Sequence, residues 1–371
     1  MRICIYAISC RAGGALSVLK DLHQEITQKS SSYPNVDWYF LTSIQLQESQ
    51  NVHVCVYENS IRSWCSRFYF NIITAKNFLK MNKIDAVLSL QNMSITGYQG
   101  ISIISLHNVL PLYKCNKSVL DSFTTRIKQR IKNVFIIRSL KKASAIIVPS
   151  EWIKLALVKK YNISKGSVFL SHVDIPQSIN GSKKYVPENN GETIFFYPAK
   201  SFPYKNHEIL VKACKLLIDQ GYSNFKVLFT FDKDQSKTSR KLASFVETNK
   251  MPIEFVGTLK REKVLELYSE AVLVFPSNIE TDAMPILECI QNDGSLIAAD
   301  LDYAHDLLDD YLKKDYCNAR DPEAWAIAMK KYLDNEVIQY SSPASKKVLV
   351  NEKTRLDIIV SIVDSMRRNS Q

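Results

Sequence analysis

The sequence predicts an α/β chain built as two doubly wound, Rossmann-like domains facing a central cleft. Three observations carry that expectation. The chain has 371 residues, too many for one ordinary core and enough for two of about 150–200 each. Its apolar runs are short and continuous rather than alternating, as strands buried on both faces of a parallel sheet require. Between them lie longer stretches of helical period, and strand–helix alternation of this kind gives parallel sheets.

In chain order the expected strands are 2–8, 37–42, 84–90, 100–106, 144–150 and 167–173 in the first half. In the second half they are 193–199, 225–231, 253–258, 271–277 and 295–300. "SVLKDLHQEIT", "HEILVKACKLLIDQ" and "REKVLELYSEA" have helical patterning. The apolar period breaks at "IPQSINGSKKYVPENNGE" (175–192), where Pro, Asn, Ser and Gly gather, and this is the expected seam. The domains are therefore 1–178 and 179–352. A C-terminal helix over 353–371, after a polar break at 341–352, is able to pack back on the first domain.

Composition is that of a globular chain, 46% hydrophobic and 23% charged. No apolar run approaches the roughly 18–20 residues that span a bilayer. The eight cysteines include no C-x-x-C pair, which argues against a zinc site or a disulfide framework and for a reducing cytoplasm. The net charge of +11 is uneven: residues 1–180 hold 22 Lys/Arg against 9 Asp/Glu, leaving 26 against 28 in the rest. Nine basic residues lie between Lys114 and Lys142, facing one acid, Asp121. Such a patch suits nucleic acid, an anionic membrane or a phosphorylated substrate, and it is equally what one solvated helix face shows. In "RIKQRIKNVFIIRSLKK" the basic residues Arg126, Lys128, Arg130, Lys132 and Arg138 alternate with Ile, Val and Phe at helical spacing. That pattern fits an interfacial helix on anionic lipid better than a nucleic-acid module, whose signatures are missing.

Four motifs have chemical content. Gly13 and Gly14 follow the first strand, where a glycine pair lets backbone N–H groups approach an anion or simply makes a tight turn. His107 stands at the carboxyl end of the strand "GISIISL", on the side where ligands collect in open sheets. Lys200 and Lys205 share the loop "YPAKSFPYKN", suited to a diphosphate, with Asn206 placed to cap the next helix. Finally, "PSNIETDAMPILE" sets Glu280 in a loop and Glu288 in the helix that Pro285 opens. Paired acids of this kind serve metal binding, acid/base chemistry or sugar hydroxyls, or lie on a solvated surface. A helix start presenting N–H groups beside two carboxylates fits a ligand both phosphorylated and polyhydroxylated, as a nucleotide sugar is. Glu288 and Lys205 occupy positions that packing is not expected to need. The triplets "DKD" (232–234) and "DLD" (300–302) are short enough to arise by chance.

Taken in order, "YPAKSFPYKN", "FVGTL", "VFPSNIETDAMPILE" and "DGSLIAAD" resemble the donor half of retaining glycosyltransferases of glycosyltransferase family 4, of bacterial surface-polysaccharide type, which have the GT-B fold. The resemblance implies that Glu288 holds the ribose hydroxyls and that Glu280 and the helix start Met284, Pro285 and Ile286 face the donor. It implies that Lys200 and Lys205 bind the diphosphate, and that Gly257, Thr258 and Leu259 contact the base through backbone. Gly13 and Gly14 would border the donor, and His107 would line the reaction centre with Glu280. No metal or other cofactor is then required. Lys200 departs from the usual Arg, and the glycines expected after the first glutamate are replaced in "ETDAMP".

The function implied is transfer of a sugar, with retention, from a nucleoside-diphosphate sugar to an acceptor hydroxyl. The acceptor would be a lipid-linked glycan, and the enzyme would sit on the inner face of the cytoplasmic membrane with no nucleic-acid partner. The alternatives are a GT-B epimerase or phosphorylase and, in a different class, a basic nucleic-acid-binding protein.

Overall fold

Alternate residues of strand β1 (Arg2–Tyr6) enter opposite cores. Ile3 and Ile5 pack with Leu19, Leu22 and Ile26 of the helix Gly13–Lys29, while Cys4 and Tyr6 pack with Phe70, Ala75 and Leu79. With water excluded from both faces beyond the half-buried Arg2, every position from Ile3 to Tyr6 is apolar or aromatic, so the strand reads as an unbroken run. The computed structural model describes all residues except 59–65, 67–68, 114–122, 173–191, 337–353 and 369–371, so the expected seam and the polar break near the C-terminus lie almost wholly outside the described residues.

The described residues form two compact units, one chiefly of Met1–Tyr113, Ile127–His172 and the C-terminal helix, the other chiefly of the chain from Val173 to Leu349. In the first unit β1 is joined by β2 (Asp37–Thr42), β3 (Val52–Val56), β4 (Ala86–Ser89), β5 (Ile101–Ser105), β6 (Ala145–Val148) and β7 (Val168–Leu170). They make a parallel sheet of order β3-β2-β1-β4-β5-β6-β7, in register Ile3 to Trp38 on one side and Ile3 to Ala86 on the other. The helix Arg355–Arg368 places Leu356, Ile359, Ile362 and Val363 in this unit's core.

The second unit has β8 (Thr193–Tyr197), β9 (Phe225–Phe229), β10 (Ile253–Phe255), β11 (Val272–Phe275), β12 (Leu296–Ala299) and β13 (Lys314–Cys317), ordered β10-β9-β8-β11-β12-β13. Its core is aromatic: Phe195, Phe196, Tyr197, Phe225, Phe229, Phe275 and Trp325 are all fully buried. Two doubly wound parallel sheets thus replace the eleven expected strands with thirteen among the described residues. The additions, β3 and β13, are edge strands.

In each sheet the strand order reverses once, between β1 and β4 and between β8 and β11. Loops at the carboxyl ends of two such strands run in opposite directions and leave a crevice between them, where open α/β sheets bind ligands.

Candidate functional site

The second unit's switch point holds Lys205 and Glu280. Lys205 ends the loop after β8, and Glu280 lies in the loop after β11. Lys205 Nζ stands 2.5 Å from Glu280 Oε1, with the side chains 17% and 11% exposed. The ammonium also lies 5.8 Å from the Tyr204 ring centroid and 5.7 Å from that of Phe275. Backbone ties hold the loops in this relation: Asn278 N–H donates to Tyr204 O at 2.7 Å, and Tyr197 Oη–H donates to Lys205 O at 2.8 Å. Burial and the Glu280 charge both push the Tyr204 phenol above its usual range, so it stays a neutral hydroxyl at pH 7. The pair can offer a cation to an anionic oxygen and a carboxylate to a hydroxyl in one place. Lys200, in the same loop, is exposed.

Asn206 corrects one expectation. It occupies the position before the helix His207–Asp219, but in the left-handed region at φ 58°, and its side chain makes no cap. Its amide instead donates to Pro276 O at 3.2 Å and Ala319 O at 2.9 Å, stitching the β8 loop to those after β11 and β13. Asn tolerates this backbone better than most residues.

Glu288 is a second correction. It lies in the helix Met284–Gln291 and is 5% exposed, with Oε1 2.8 Å from Arg261 Nη1 and Oε2 accepting from Tyr268 Oη–H at 2.8 Å. Packing therefore does need this carboxylate, because two structural partners close on it. Burial and the Glu288 charge hold the Tyr268 hydroxyl neutral. Arg261 and Tyr268 carry no signal in the sequence: one begins an ordinary surface helix and the other reads as an apolar position within it.

The helix start itself is narrower than expected. Pro285 has no N–H, and Ile286 donates its own to Ala283 O at 2.8 Å, while the Ile286 side chain is fully buried. Met284 alone of these three heads the helix with a backbone donor not yet placed in it. Ala283, the residue before it, takes φ 39°, a left-handed conformation unusual for a residue with a Cβ. Gly257 also has positive φ, 68°, and a Cβ there would fall 2.8 Å from Asp232 Oδ1. Thr258 is exposed and Leu259 half-buried beside it. Of the "DLD" triplet, Asp300 is engaged with His305 at 2.6 Å.

In the first unit, Gly13 and Gly14 begin the helix after β1, and a Cβ on Gly14 would meet nothing within 4 Å. His107 follows β5, its Nε2 2.8 Å from Ser105 Oγ. Asn92, after β4, accepts from His107 N–H at 2.8 Å and from Asn108 N–H at 2.9 Å through one oxygen, which fixes the turn. Burial first and the Arg355 charge second lower the His107 pKa to about 4, so the ring is neutral at pH 7.

The basic helix spans Phe123–Lys142. Lys128, Arg130, Lys132 and Arg138 are exposed, whereas Arg126 is half-buried with its guanidinium 5.6 Å from the Phe123 ring centroid. Ile127, Ile131, Val134 and Phe135 are also exposed, on the side opposite Asn133, Ile136 and Leu140, which are buried. Among the described residues no helix is long and apolar enough to cross a membrane.

Residues 179–348, nearly the whole second unit, match the family described as glycosyl transferases group 1. The O-antigen chain mannosyltransferase RfbU of Salmonella typhimurium is 24% identical over 229 residues, 61% of this chain and 59% of that protein. Among solved structures, the lipopolysaccharide outer core galactosyltransferase WaaB matches with TM-score 0.62 at 15% identity, over 98% of this chain and 95% of that one. Anabaena Alr3699/HepE, solved with UDP-glucose, matches with TM-score 0.62 at 12% identity, over 99% and 100%. At such identities these two likenesses show the fold, which is GT-B. With the family match they lead to one statement: the chain carries a glycosyl transferases group 1 domain in its second unit and resembles the glycosyltransferases of bacterial surface-polysaccharide assembly.

Proposed function

We propose that this protein transfers a sugar from a nucleoside-diphosphate sugar to an acceptor hydroxyl with retention of anomeric configuration. The observation that carries the reading is Lys205 against Glu280 at the switch point of the second sheet, 2.5 Å apart. The lysine, with Lys200, meets the diphosphate and stabilises the charge that grows as the sugar leaves. Glu280 accepts from the sugar hydroxyls. The acceptor oxygen forms its bond to the anomeric carbon as the bond to the diphosphate oxygen breaks, and the acceptor proton passes to that departing oxygen on the same face. No protein nucleophile and no required metal enter this scheme. Glu288 reaches a ribose only by sharing or exchanging the hydrogen bonds that Arg261 and Tyr268 now give it.

The acceptor in this reading is a lipid-linked glycan, reached from an anionic membrane surface by the basic helix. The support is the stripe of exposed Ile127, Ile131, Val134 and Phe135 bordered by Lys128, Arg130 and Lys132. A phosphodiester backbone has no use for that apolar stripe, whereas a headgroup boundary does.

The test is a panel of UDP-, GDP- and dTDP-sugars scored for protection against thermal unfolding, since a ligand of the native state raises stability by mass action. The best donor is then turned over with and without EDTA, and the product's anomeric proton coupling is read by NMR. UDP-glucose and GDP-mannose are the first probes, suggested by the names of the similar proteins. Failure of every donor to protect would overturn the reading, an inverted product would overturn retention, and loss of turnover in EDTA restored by Mn²⁺ would overturn metal independence.

A further inference from the structure

Phe202 is 48% exposed although it sits in the middle of the loop that carries Lys200 and Lys205. Its ring stacks on Tyr204, with centroids 5.5 Å apart and planes 10° apart, and Tyr204 in turn has the Lys205 ammonium 5.8 Å from its centroid. One face of Phe202 is therefore taken by Tyr204. Hydrogen bonds hold the loop. Phe202 N–H donates to Lys200 O at 2.8 Å and Phe202 O accepts from Lys205 N–H at 2.9 Å. Ser201 Oγ meets Ser236 Oγ at 3.1 Å, and Pro203 fixes its own φ at the start of the turn. A single exposed apolar side chain is ordinary. A pre-organised aromatic stack in the loop of the proposed donor lysines is a different matter, because its ordering cost has been met before a ligand arrives.

We infer that Phe202, backed by Tyr204, is a platform for the ring of a pyranose, and that it determines which sugar the site accepts. The inference rests on the donor reading above and adds to it a contact that neither lysine nor carboxylate supplies. A pyranose presents C–H bonds on one face and hydroxyls around its rim. The C–H face suits the negative face of an aromatic ring, while Glu280 and the lysines meet the rim. The Tyr204 backbone oxygen accepts from Asn278 N–H, which ties this loop to the β11 loop that also carries Glu280. The sugar has two sources, the donor and the acceptor, and both offer the same face.

The test compares the parent with Phe202→Ala and Phe202→Trp. Calorimetry with UDP against UDP-glucose, and GDP against GDP-mannose, isolates the part of the affinity due to the donor sugar. Saturation-transfer NMR with methyl α-glucoside, α-mannoside and α-galactoside, in the presence of the nucleotide, reads the acceptor side. In Phe202→Ala we expect the sugar-dependent affinity to fall about fivefold in one of the two arms, with Phe202→Trp close to parent and thermal stability unchanged. Loss in the first arm assigns the donor sugar, and loss in the second the acceptor. Unchanged sugar binding in both arms overturns the platform while leaving the donor reading intact. Equal loss with the bare nucleotide puts a base on the ring and likewise overturns it. A parent that binds none of the four nucleotides removes the donor reading, and the platform with it.

Discussion

Arg261 Nη1 lies 2.8 Å from Glu288 Oε1, so the carboxylate that family resemblance assigns to a ribose is already closed in by its own fold. Tyr268 completes the enclosure from the other oxygen. Removing the carboxylate strips a buried phenol of its acceptor and leaves space in a well-packed helix. Glu288→Ala is therefore expected to lose nucleotide-sugar binding and also about 1–3 kcal/mol of stability, the usual cost of a buried polar group left unpaired. Glu288→Gln, which keeps an oxygen for Tyr268, should recover most of the stability but not the binding. Urea unfolding and calorimetry on the two variants check this, and full stability in Glu288→Ala would show that the enclosure is incidental.

Ala283 and Gly257 make a matched pair of positive-φ positions, at 39° and 68°. A Cβ costs roughly 1–2 kcal/mol in the left-handed region, offset in part by the greater freedom glycine gives the unfolded chain. Ala283→Gly should thus stabilise the protein by up to about 1 kcal/mol. Gly257→Ala should destabilise it by more than that, since the new methyl group would also stand 2.8 Å from Asp232 Oδ1. Denaturant midpoints for both variants decide the matter; a destabilised Ala283→Gly would mean that the strain at 283 is relieved elsewhere.

These two sites show where the sequence was legible and where it was not. Central strands such as "TIFFY" and "VLVF" declare themselves because burial on two faces demands apolar residues throughout. The edge strands "VHVCV" and "KDYC" do not, because one flank meets solvent and tolerates His, Lys and Asp. Lys205 and Glu280 could be picked out because both follow strands, and a strand's carboxyl end is a position that sequence reveals. The burial of Glu288 could not, since it depends on Arg261 and Tyr268 arriving from a helix that ends before β11 begins. Asn206 misled for a related reason: Asn before a helix suggests a cap, yet here its side chain joins loops separated by 70 and 113 residues.

His207 sets an acid limit on stability. Its ring is buried among Tyr197, Phe229 and Phe231, at centroid distances of 4.6, 4.9 and 4.9 Å. Burial, and after it the Lys205 charge, lowers its pKa from 6.5 to about 3, against a smaller opposing hydrogen bond with Ala199. The unfolded chain takes up a proton near pH 6.5 that the folded chain refuses until about 3, so folding loses stability as pH falls through that window and is unaffected above it. His107 adds the same sign between 6.5 and about 4. His305, raised by Asp300, has the opposite sign, its contribution being lost only as pH rises through its folded value. Denaturant midpoints should therefore fall steadily from pH 6.5 to 4.5, and Phe in place of His207 should flatten the slope. An unchanged slope in that variant would assign the acid sensitivity elsewhere.

The last prediction concerns the helix Phe123–Lys142. Ile131, Val134 and Phe135 are each about half exposed, and they lie opposite the buried Ile136 and Leu140, so the apolar stripe faces away from the protein's own core. Lys128, Arg130 and Lys132 border it and Arg138 continues it toward the C-terminus. Each basic residue near an anionic leaflet contributes on the order of 1 kcal/mol, and an apolar stripe adds burial at the headgroup boundary. The two contributions separate by their salt dependence, because the electrostatic part is screened over a Debye length of about 8 Å at physiological ionic strength and the apolar part is not. The parent should co-sediment with phosphatidylglycerol-containing vesicles and only weakly with phosphatidylcholine alone. Gln at Lys128, Arg130, Lys132 and Arg138 together should remove the salt-sensitive part of the binding while sparing nucleotide-sugar affinity, which the proposed function assigns to the other unit. Gln at Ile127, Ile131 and Phe135 should leave binding at low salt and remove the fraction that resists 0.5 M salt, a concentration at which the Debye length is roughly 4 Å. Sedimentation of the quadruple variant equal to that of the parent would show the basic residues to be a solvated face, and the acceptor would then have to be sought among soluble glycans.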